Sequence, residues 1–408
     1  MAIRTAESTL HISPAFGALA PLVGAILTSF LVIGLAMPVI PLHVHDGLGL
    51  PAFYVGLVAG AQFGASFLSR FWAGVYADTR GARRSMLLGL SLAALAGGLY
   101  YLSLLLIDSP FISMAVLLIG RGILGAGESF IITGASTWGI IRAGANNTGT
   151  VLSWVGTAMY IAYAVGAPLG TVLFEAIGFE AVAVATVALP LLASAFILPL
   201  APVQTVSKEW ASFTSVVKAV WVPGIGLAFS SIGFGAITTF VVILFAQNGW
   251  EQAWLAFTLL SSFFMLGRIF LGHLPDRMGG AKIALVCLVI EAAGQACIWL
   301  APSSILAFVG AALTGLGYSL VYPGLGVEAV RAAPPEQRGV VMGAYTAFLD
   351  LALGIAGPAL GLVVSLAGIK MIYGVSTAAV ICSGAVAWHL AQTQRENRAE
   401  KKQNRFLQ

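Results

Sequence analysis

A few charged side chains sit in stretches that are otherwise apolar: Arg121 and Glu128 in "RGILGAGES", Asp350 in "AYTAFLDLALG", Glu291 in "VIEAAGQA", and Arg70 and Arg268 in similar runs. In hydrocarbon each charge costs about 2.5–3.5 kcal/mol on insertion scales, so it needs a partner or a wet cavity. Arg121 and Glu128 are two helical turns apart, and Arg121, Gly125, Glu128 and Ile132 form one stripe with Ser129 and Ser136 beside it. A carboxylate and a guanidinium on one stripe can do proton chemistry, because a ligand that disturbs the pair lets the carboxylate capture or release a proton. The same two residues also suit a permanent buried ion pair. Asp350 is either a second proton site or a hydrogen-bonded packing residue. Glu291 reads as buried and bonded. Arg70 and Arg268 read as snorkelling or pairing toward the ends of their helices.

Other chemistries find no foothold. His43, His45 and Asp46 in "HVHD" resemble part of a metal site, but a structural zinc site needs four ligands and no further histidine is near in sequence. The segment reads as a polar cap on the first apolar run, after Pro38 and Pro41 bend it. His11, His43, His45, His273 and His389 form no catalytic cluster, and neither H-E-x-x-H nor G-x-S-x-G occurs. Cys287, Cys297 and Cys382 all lie in apolar runs and read as packing residues. No enzyme activity, metal or cofactor is expected.

The elements that position these residues follow from composition. The 408 residues are 59% hydrophobic and 9% charged, against about a quarter charged in a soluble domain, so lipid is the solvent for most of the surface. The net charge of +4 is spread over short loops and forms no basic face, which excludes nucleic acid as a partner. Long continuous apolar runs predict helices at 17–41, 52–77, 83–107, 111–140, 148–174, 178–201, 217–246, 252–275, 281–301, 304–330, 338–366 and 370–392. Basic loop residues from Arg4 to Arg405 then fall on one side, with Lys370 alone opposite, so both termini are expected in the cytoplasm.

The chain also repeats itself. Arg70, Gly74, Asp78 and Gly81 recur at one constant offset as Arg268, Gly272, Asp276 and Gly279. Gly125, Gly127, Gly149 and Pro168 recur at a slightly smaller offset as Gly315, Gly317, Gly339 and Pro358. Two parallel six-helix bundles are therefore expected, at 1–202 and 217–393, with a cytosolic linker at 203–216 and a charged tail at 394–408. Trp210, Phe213 and Val217 give the linker either a short interfacial helix or a plain connection.

With these residues in place the chain resembles the major facilitator superfamily, and within it the bacterial twelve-span branch that exports drugs and metabolites, including the group labelled sugar-efflux permeases. The resemblance spans nearly the whole chain. Gly74, Asp78, Gly81, Arg83 and Arg84 are similar to the superfamily's loop signature, with a half-strength copy in Gly272, Asp276, Gly279 and Lys282. Arg121, Gly125 and Gly127 resemble its fourth-helix segment, and Gly166, Pro168 and Gly170 its fifth-helix antiporter segment, with Ala167 where glycine is usual. The first span has no acidic residue before Asp46, so the proton carrier common there is not carried over.

The resemblance implies an all-α membrane protein that exports a small organic molecule by alternating access in exchange for protons, from a monomer in the bacterial inner membrane; the alternative is proton-coupled uptake of an organic acid or sugar. It implies that Asp78 meets the start of the eleventh span near Gly339 and latches the inner mouth, whereas Arg80, Arg83 and Arg84 either share that gate or anchor topology. Glu128, Arg121 and Asp350 are the proton-coupling candidates. Phe30, Ser129, Tyr160, Tyr163, Phe234, Tyr318, Tyr322 and Tyr345 are the cavity candidates, suiting an amphipathic ligand or simply packing. Gly56, Gly60 and Gly64, at four-residue spacing, allow close helix approach.

Overall fold

The computed structural model describes residues 14–143, 148–202, 213–331 and 338–406. Regular structure there is helical throughout: α1 (Pro14–Leu42), α2 (Ala52–Arg80), α3 (Ala82–Leu105), α4 (Pro110–Ala143), α5 (Thr148–Ile177), α6 (Phe179–Ile197), α7 (Phe213–Gln247), α8 (Trp254–Leu271), α9 (Leu274–Met278), α10 (Gly280–Trp299), α11 (Ser304–Arg331), α12 (Arg338–Ala367) and α13 (Met371–Phe406). Among the described residues twelve helices are long and apolar enough to cross a membrane; α9, with five residues, is not one of them. Residues 203–212 of the expected linker lie outside the described residues.

Three departures from the expected boundaries have local causes. The eighth span, expected to reach 275, stops at Leu271 and restarts as α9. Pro275 lacks an N–H and crowds the preceding turn; the matching position in the first repeat is Ala77, and α2 runs unbroken to Arg80. The tail from 394 continues α13 to Phe406, because Ala, Glu, Lys, Gln and Arg are strong helix formers. Beyond α1, residues His43–Gly47 form a single wide π turn. His43 there is buried and stacks on Phe179 at 3.9 Å, so only His45 and Asp46, paired at 2.7 Å, remain of the expected polar cap.

Packing repeats with the sequence. Among the first six spans α1 packs on α5 and α6, α2 on α4, and α3 on α4 and α6. Among the last six α7 packs on α12 and α13, α8 on α11, and α10 on α11 and α13. The two sets join where α2 meets α12 and where α5 meets α8, with α1 against α7 between them.

The α2–α12 crossing is backbone on backbone. A Cβ added at Gly60 would lie 3.1 Å from Pro358 Cδ, one at Gly354 3.1 Å from the Gly64 nitrogen, and one at Gly361 2.7 Å from Phe53 Cα. Gly56 faces Gly357 just as closely. Small residues at such spacing are what allow two helices to approach this far.

Glycine is required for another reason at the repeated turns. Gly81 has φ +94° and Gly279 φ +102°, an extended left-sided conformation nearly closed to residues with a Cβ. Gly81→Ala is expected to lower stability by about 1–3 kcal/mol. Gly74→Ala, within α2 with open space around the added carbon, should instead stabilise by about 0.5–1 kcal/mol. Thermal unfolding in detergent checks the opposite signs.

Candidate functional site

On α2, Gln62, Ser66 and Arg70 recur every fourth residue, one above another on the same face. Gly125 brings the α4 backbone against the Gln62 carbonyl with no space for a Cβ, and this closeness sets Glu128 and Ser129 opposite that face. Gln62 Nε2 donates to Glu128 Oε2 at 2.8 Å. Ser129 Oγ donates to the Ser66 carbonyl at 2.9 Å. That occupies the only proton of Ser129, so Ser66 is the donor in the 3.0 Å contact between the two hydroxyls.

Arg70 continues the line. Its Nη2 donates to Ser66 Oγ at 3.4 Å, and its Nε donates to Asp350 Oδ2 at 2.7 Å, with Nη2 closing on the same carboxylate oxygen. Asp350 is on α12, so this ion pair ties the first six spans to the last six. Gln62, Ser66, Glu128, Ser129 and Asp350 are all buried. A run of polar groups therefore leads from Glu128 on α4, across α2, to Asp350 on α12.

One expectation changes here: Glu128 accepts from Gln62, and no Arg121–Glu128 ion pair forms among the described residues. Of the two roles expected of Arg70, snorkelling or pairing, it takes the second, turned inward to Asp350. Arg121 reaches the Tyr100 hydroxyl from Nη1 at 3.5 Å, a long and weak bond, and its Nε has no partner. Gln62 Oε1 is likewise unpartnered. Both side chains line a cavity of about 30 Å³ with Thr238 and Thr239 of α7 and Met37 of α1. Such a space admits water, which the two orphaned groups would bind, and is far below the roughly 300–1,000 Å³ of an organic-ligand pocket.

The aromatic candidates form a chain across the molecule. Phe30 lies 6.2 Å from Tyr163, Tyr163 5.6 Å from Tyr160, and Tyr160 stacks on Phe264 of α8 at 3.6 Å. Phe264 meets Tyr318 at 5.9 Å and Tyr318 stacks on Phe234 at 5.4 Å. The Tyr160–Phe264 stack is the step from α5 to α8, between the two sets of spans. Tyr345 and Tyr322 stand apart from this chain: their rings are 5.3 Å from each other, and Tyr345 donates to the Tyr322 carbonyl at 3.0 Å. Phe30, Tyr163, Phe234, Tyr318 and Tyr345 are buried in this conformation.

Glu291 of α10 is fully buried and accepts from Ser230 at 2.9 Å, while Gln295 one turn on donates to the Gly233 carbonyl at 3.1 Å. These bonds join α7 to α10 within the last six spans, the bonded role expected of Glu291. Gly127 packs on Gly89 of α3, Gly166 on Gly34 and Gly170 on Leu35 of α1, each with no space for a Cβ. Pro168 lies inside α5.

At the loop motif, Arg83 donates to the Leu198 carbonyl at the end of α6, where a cation suits the helix dipole. Asp78, Arg84 and Lys282 are exposed. The Asp276 side chain and those opening α12 at 338 and 339 lie outside the described residues, so the expected latch falls there too. Glu328 of α11 makes a contact of that kind: it accepts from the Ala281 backbone N–H in the first turn of α10 at 3.2 Å and pairs with Arg331 at 3.3 Å. Sequence reasoning missed Glu328, Tyr100, Gln62 and Ser66. The last two had a signal, polar residues at four-residue spacing leading to Arg70 on an apolar helix.

A family model described as Major Facilitator Superfamily matches residues 22–279 and 225–407. A relative from Salmonella typhimurium strain LT2, the uncharacterised MFS-type transporter STM4428, is 40% identical over 370 residues, covering 91% of this chain and 95% of its own. The uncharacterised MFS-type transporter YhhS of Escherichia coli K12 is 38% identical over 369 residues, covering 90% and 91%. Among solved structures, a bacterial homolog to the human lysosomal transporter Spinster, inward-facing and unoccupied, aligns with TM-score 0.74 at 12% identity over 93% of this chain and 98% of that one. The E. coli fucose:proton symporter FucP aligns with TM-score 0.64 at 15% identity over 93% and 99%.

Proposed function

We propose, on the premise that this chain belongs to the Major Facilitator Superfamily and is a transporter rather than an enzyme, that it exports a small organic molecule by alternating access in exchange for protons. It works as a monomer in the bacterial inner membrane with both termini in the cytoplasm, as the distribution of basic loop residues favours. Its two six-helix bundles, residues 1–202 and 217–393, rock about the α2–α12 and α5–α8 contacts, with the turns at Gly81 and Gly279 at the inner mouth.

The observation that carries this reading is the Arg70–Asp350 pair. It joins the bundles through one carboxylate, so a proton on Asp350 removes the charge that holds Arg70 and lets α2 and α12 part. Glu128 stands at the other end of the same polar run, beside the water-sized cavity at Gln62 and Arg121, and is placed to take a proton and pass its effect along α2. The membrane potential supplies about 2.3 kcal/mol per charge per 100 mV, so one inward proton can oppose a tenfold or greater substrate gradient. Proton symporters with this fold, such as FucP, keep the opposite direction open as the second reading.

The test is transport into inverted vesicles with a panel of drugs and metabolites and a pH reporter inside. Uptake of one compound with simultaneous alkalinisation of the lumen is expected; uptake with the lumen pH unmoved refutes proton exchange. Glu128→Gln keeps the hydrogen bond to Gln62 but cannot titrate. It should leave substrate binding within about twofold while removing the pH dependence of transport, read as initial rates from pH 5.5 to 8.5.

A further inference from the structure

The repeat relates Arg70 to Arg268 and, through Gly149 with Gly339 and Pro168 with Pro358, relates Asp350 to Tyr160. The two joints between the bundles are therefore matched, α2 with α12 and α8 with α5, but they are chemically unequal. At the first, Arg70 has the Asp350 carboxylate. At the second, the matching position offers a phenol, and the Tyr160 ring is turned onto Phe264 at 3.6 Å.

Among the described residues Arg268 is thus left without a counter-charge. It forms no ion pair or hydrogen bond with any described residue, and its guanidinium lies over the rings of Phe264 at 5.3 Å and Tyr322 at 5.9 Å. Beside it α5 carries Gly156, where an added Cβ would come within 2.8 Å of Nη1, so the absence of a side chain there makes the room that Arg268 occupies. It is half-buried and one turn beyond Phe264, on the side of that aromatic stack facing the ends of α8 and α5 nearer the termini. A guanidinium held on aromatic faces with its N–H groups unused is a ready bidentate receptor for a carboxylate.

We propose that Arg268 is the anion anchor of the substrate site and that the transported molecule is a small organic carboxylate. The substrate then supplies at the α5–α8 joint what Asp350 supplies at the α2–α12 joint. One joint answers to a proton and the other to the carboxylate. This deepens the transporter reading and rests on it.

Equilibrium binding with no gradient separates the two. Purified protein in nanodiscs is titrated with benzoate, phenylacetate and succinate and with the corresponding neutral amides, and thermal stabilisation is read. At least one carboxylate should stabilise where its amide does not; Arg268→Lys should weaken that response about tenfold, and Arg268→Gln should remove it. Because Arg268 has no described carboxylate partner to strand, Arg268→Gln should stay folded without ligand, losing only its contacts with the Phe264 and Tyr322 rings, which keeps the test readable. Tyr160→Asp, which builds the missing carboxylate into α5 at the expense of the stack on Phe264, should abolish the response. If no carboxylate exceeds its amide, or if the response survives Arg268→Gln, the proposal is overturned. Failure of proton exchange in vesicles would leave this binding result standing.

Discussion

Asp350→Ala should lower stability by about 3–5 kcal/mol, because it strands a guanidinium inside the bilayer. Arg70 reaches Asp350 through both Nε and Nη2, and its only other described acceptor is Ser66 Oγ at 3.4 Å. Removing the carboxylate leaves the charge without compensation, and nearby waters would have to enter between α2 and α12 to hydrate it. Arg70→Met should be costly in the same way, since it leaves Asp350 charged and buried until it takes a proton. The double variant Arg70→Met with Asp350→Leu should recover most of the loss, because two apolar chains of similar volume leave nothing unpaired. A double variant that costs as much as the two singles added together would mean the pair is not coupled. Thermal unfolding of the four proteins forms the cycle. In transport, the double variant should be folded but uncoupled, with its rate independent of the pH gradient.

The second large effect is steric. Gly56 and Gly357 meet backbone to backbone, and the neighbouring contacts at Gly60, Gly354 and Gly361 show that the crossing has no slack. Gly56→Leu cannot be absorbed by a side chain moving aside, since what it meets is the α12 main chain. Overpacking of this kind costs about 1–3 kcal/mol, occasionally more. The cheaper response is for α2 and α12 to separate, so the variant should favour the conformation in which this joint is open and should lose at least tenfold in transport rate. Gly98→Leu is the control: that glycine is exposed on α3 with nothing within 4 Å of an added Cβ, and both stability and transport should stay near wild type. Comparable loss in the two variants would remove the crossing from the mechanism.

The fold was legible because its signals are long and redundant. Twelve apolar runs, basic loops and a double offset of Gly, Asp and Arg positions all point to one architecture, and the repeated pairing of helices follows from it. The site was legible only in part. Arg121, Glu128 and Asp350 announce themselves as charges in apolar runs, but their partners depend on the rotation of each helix about its axis. Arg70 facing lipid and Arg70 facing Asp350 are the same sequence. The partner of Glu128 was misread for that reason: the two-turn spacing to Arg121 is real, yet Gly125 draws α4 so close to α2 that Gln62 reaches the carboxylate first. The broken eighth span was readable in Pro275 and the helical tail in its Glu, Lys and Gln content, whereas the burial of His43 against Phe179 needed the π turn that no local pattern marked.

In the mechanism we propose, protonation of the α2–α4–α12 polar run decides whether the bundles are tied. Spin labels at Thr79 and Met278, toward the termini side, and at Ile107 and Ile305, on the opposite side, are all exposed positions. Electron–electron distance measurement is made on each pair in nanodiscs across pH 5.5 to 8.5, with Cys287, Cys297 and Cys382 replaced by alanine. The two distances should change in opposite directions as pH falls, and Asp350→Asn should hold both at their low-pH values throughout. Distances that ignore pH, or that widen together at both ends, would contradict it.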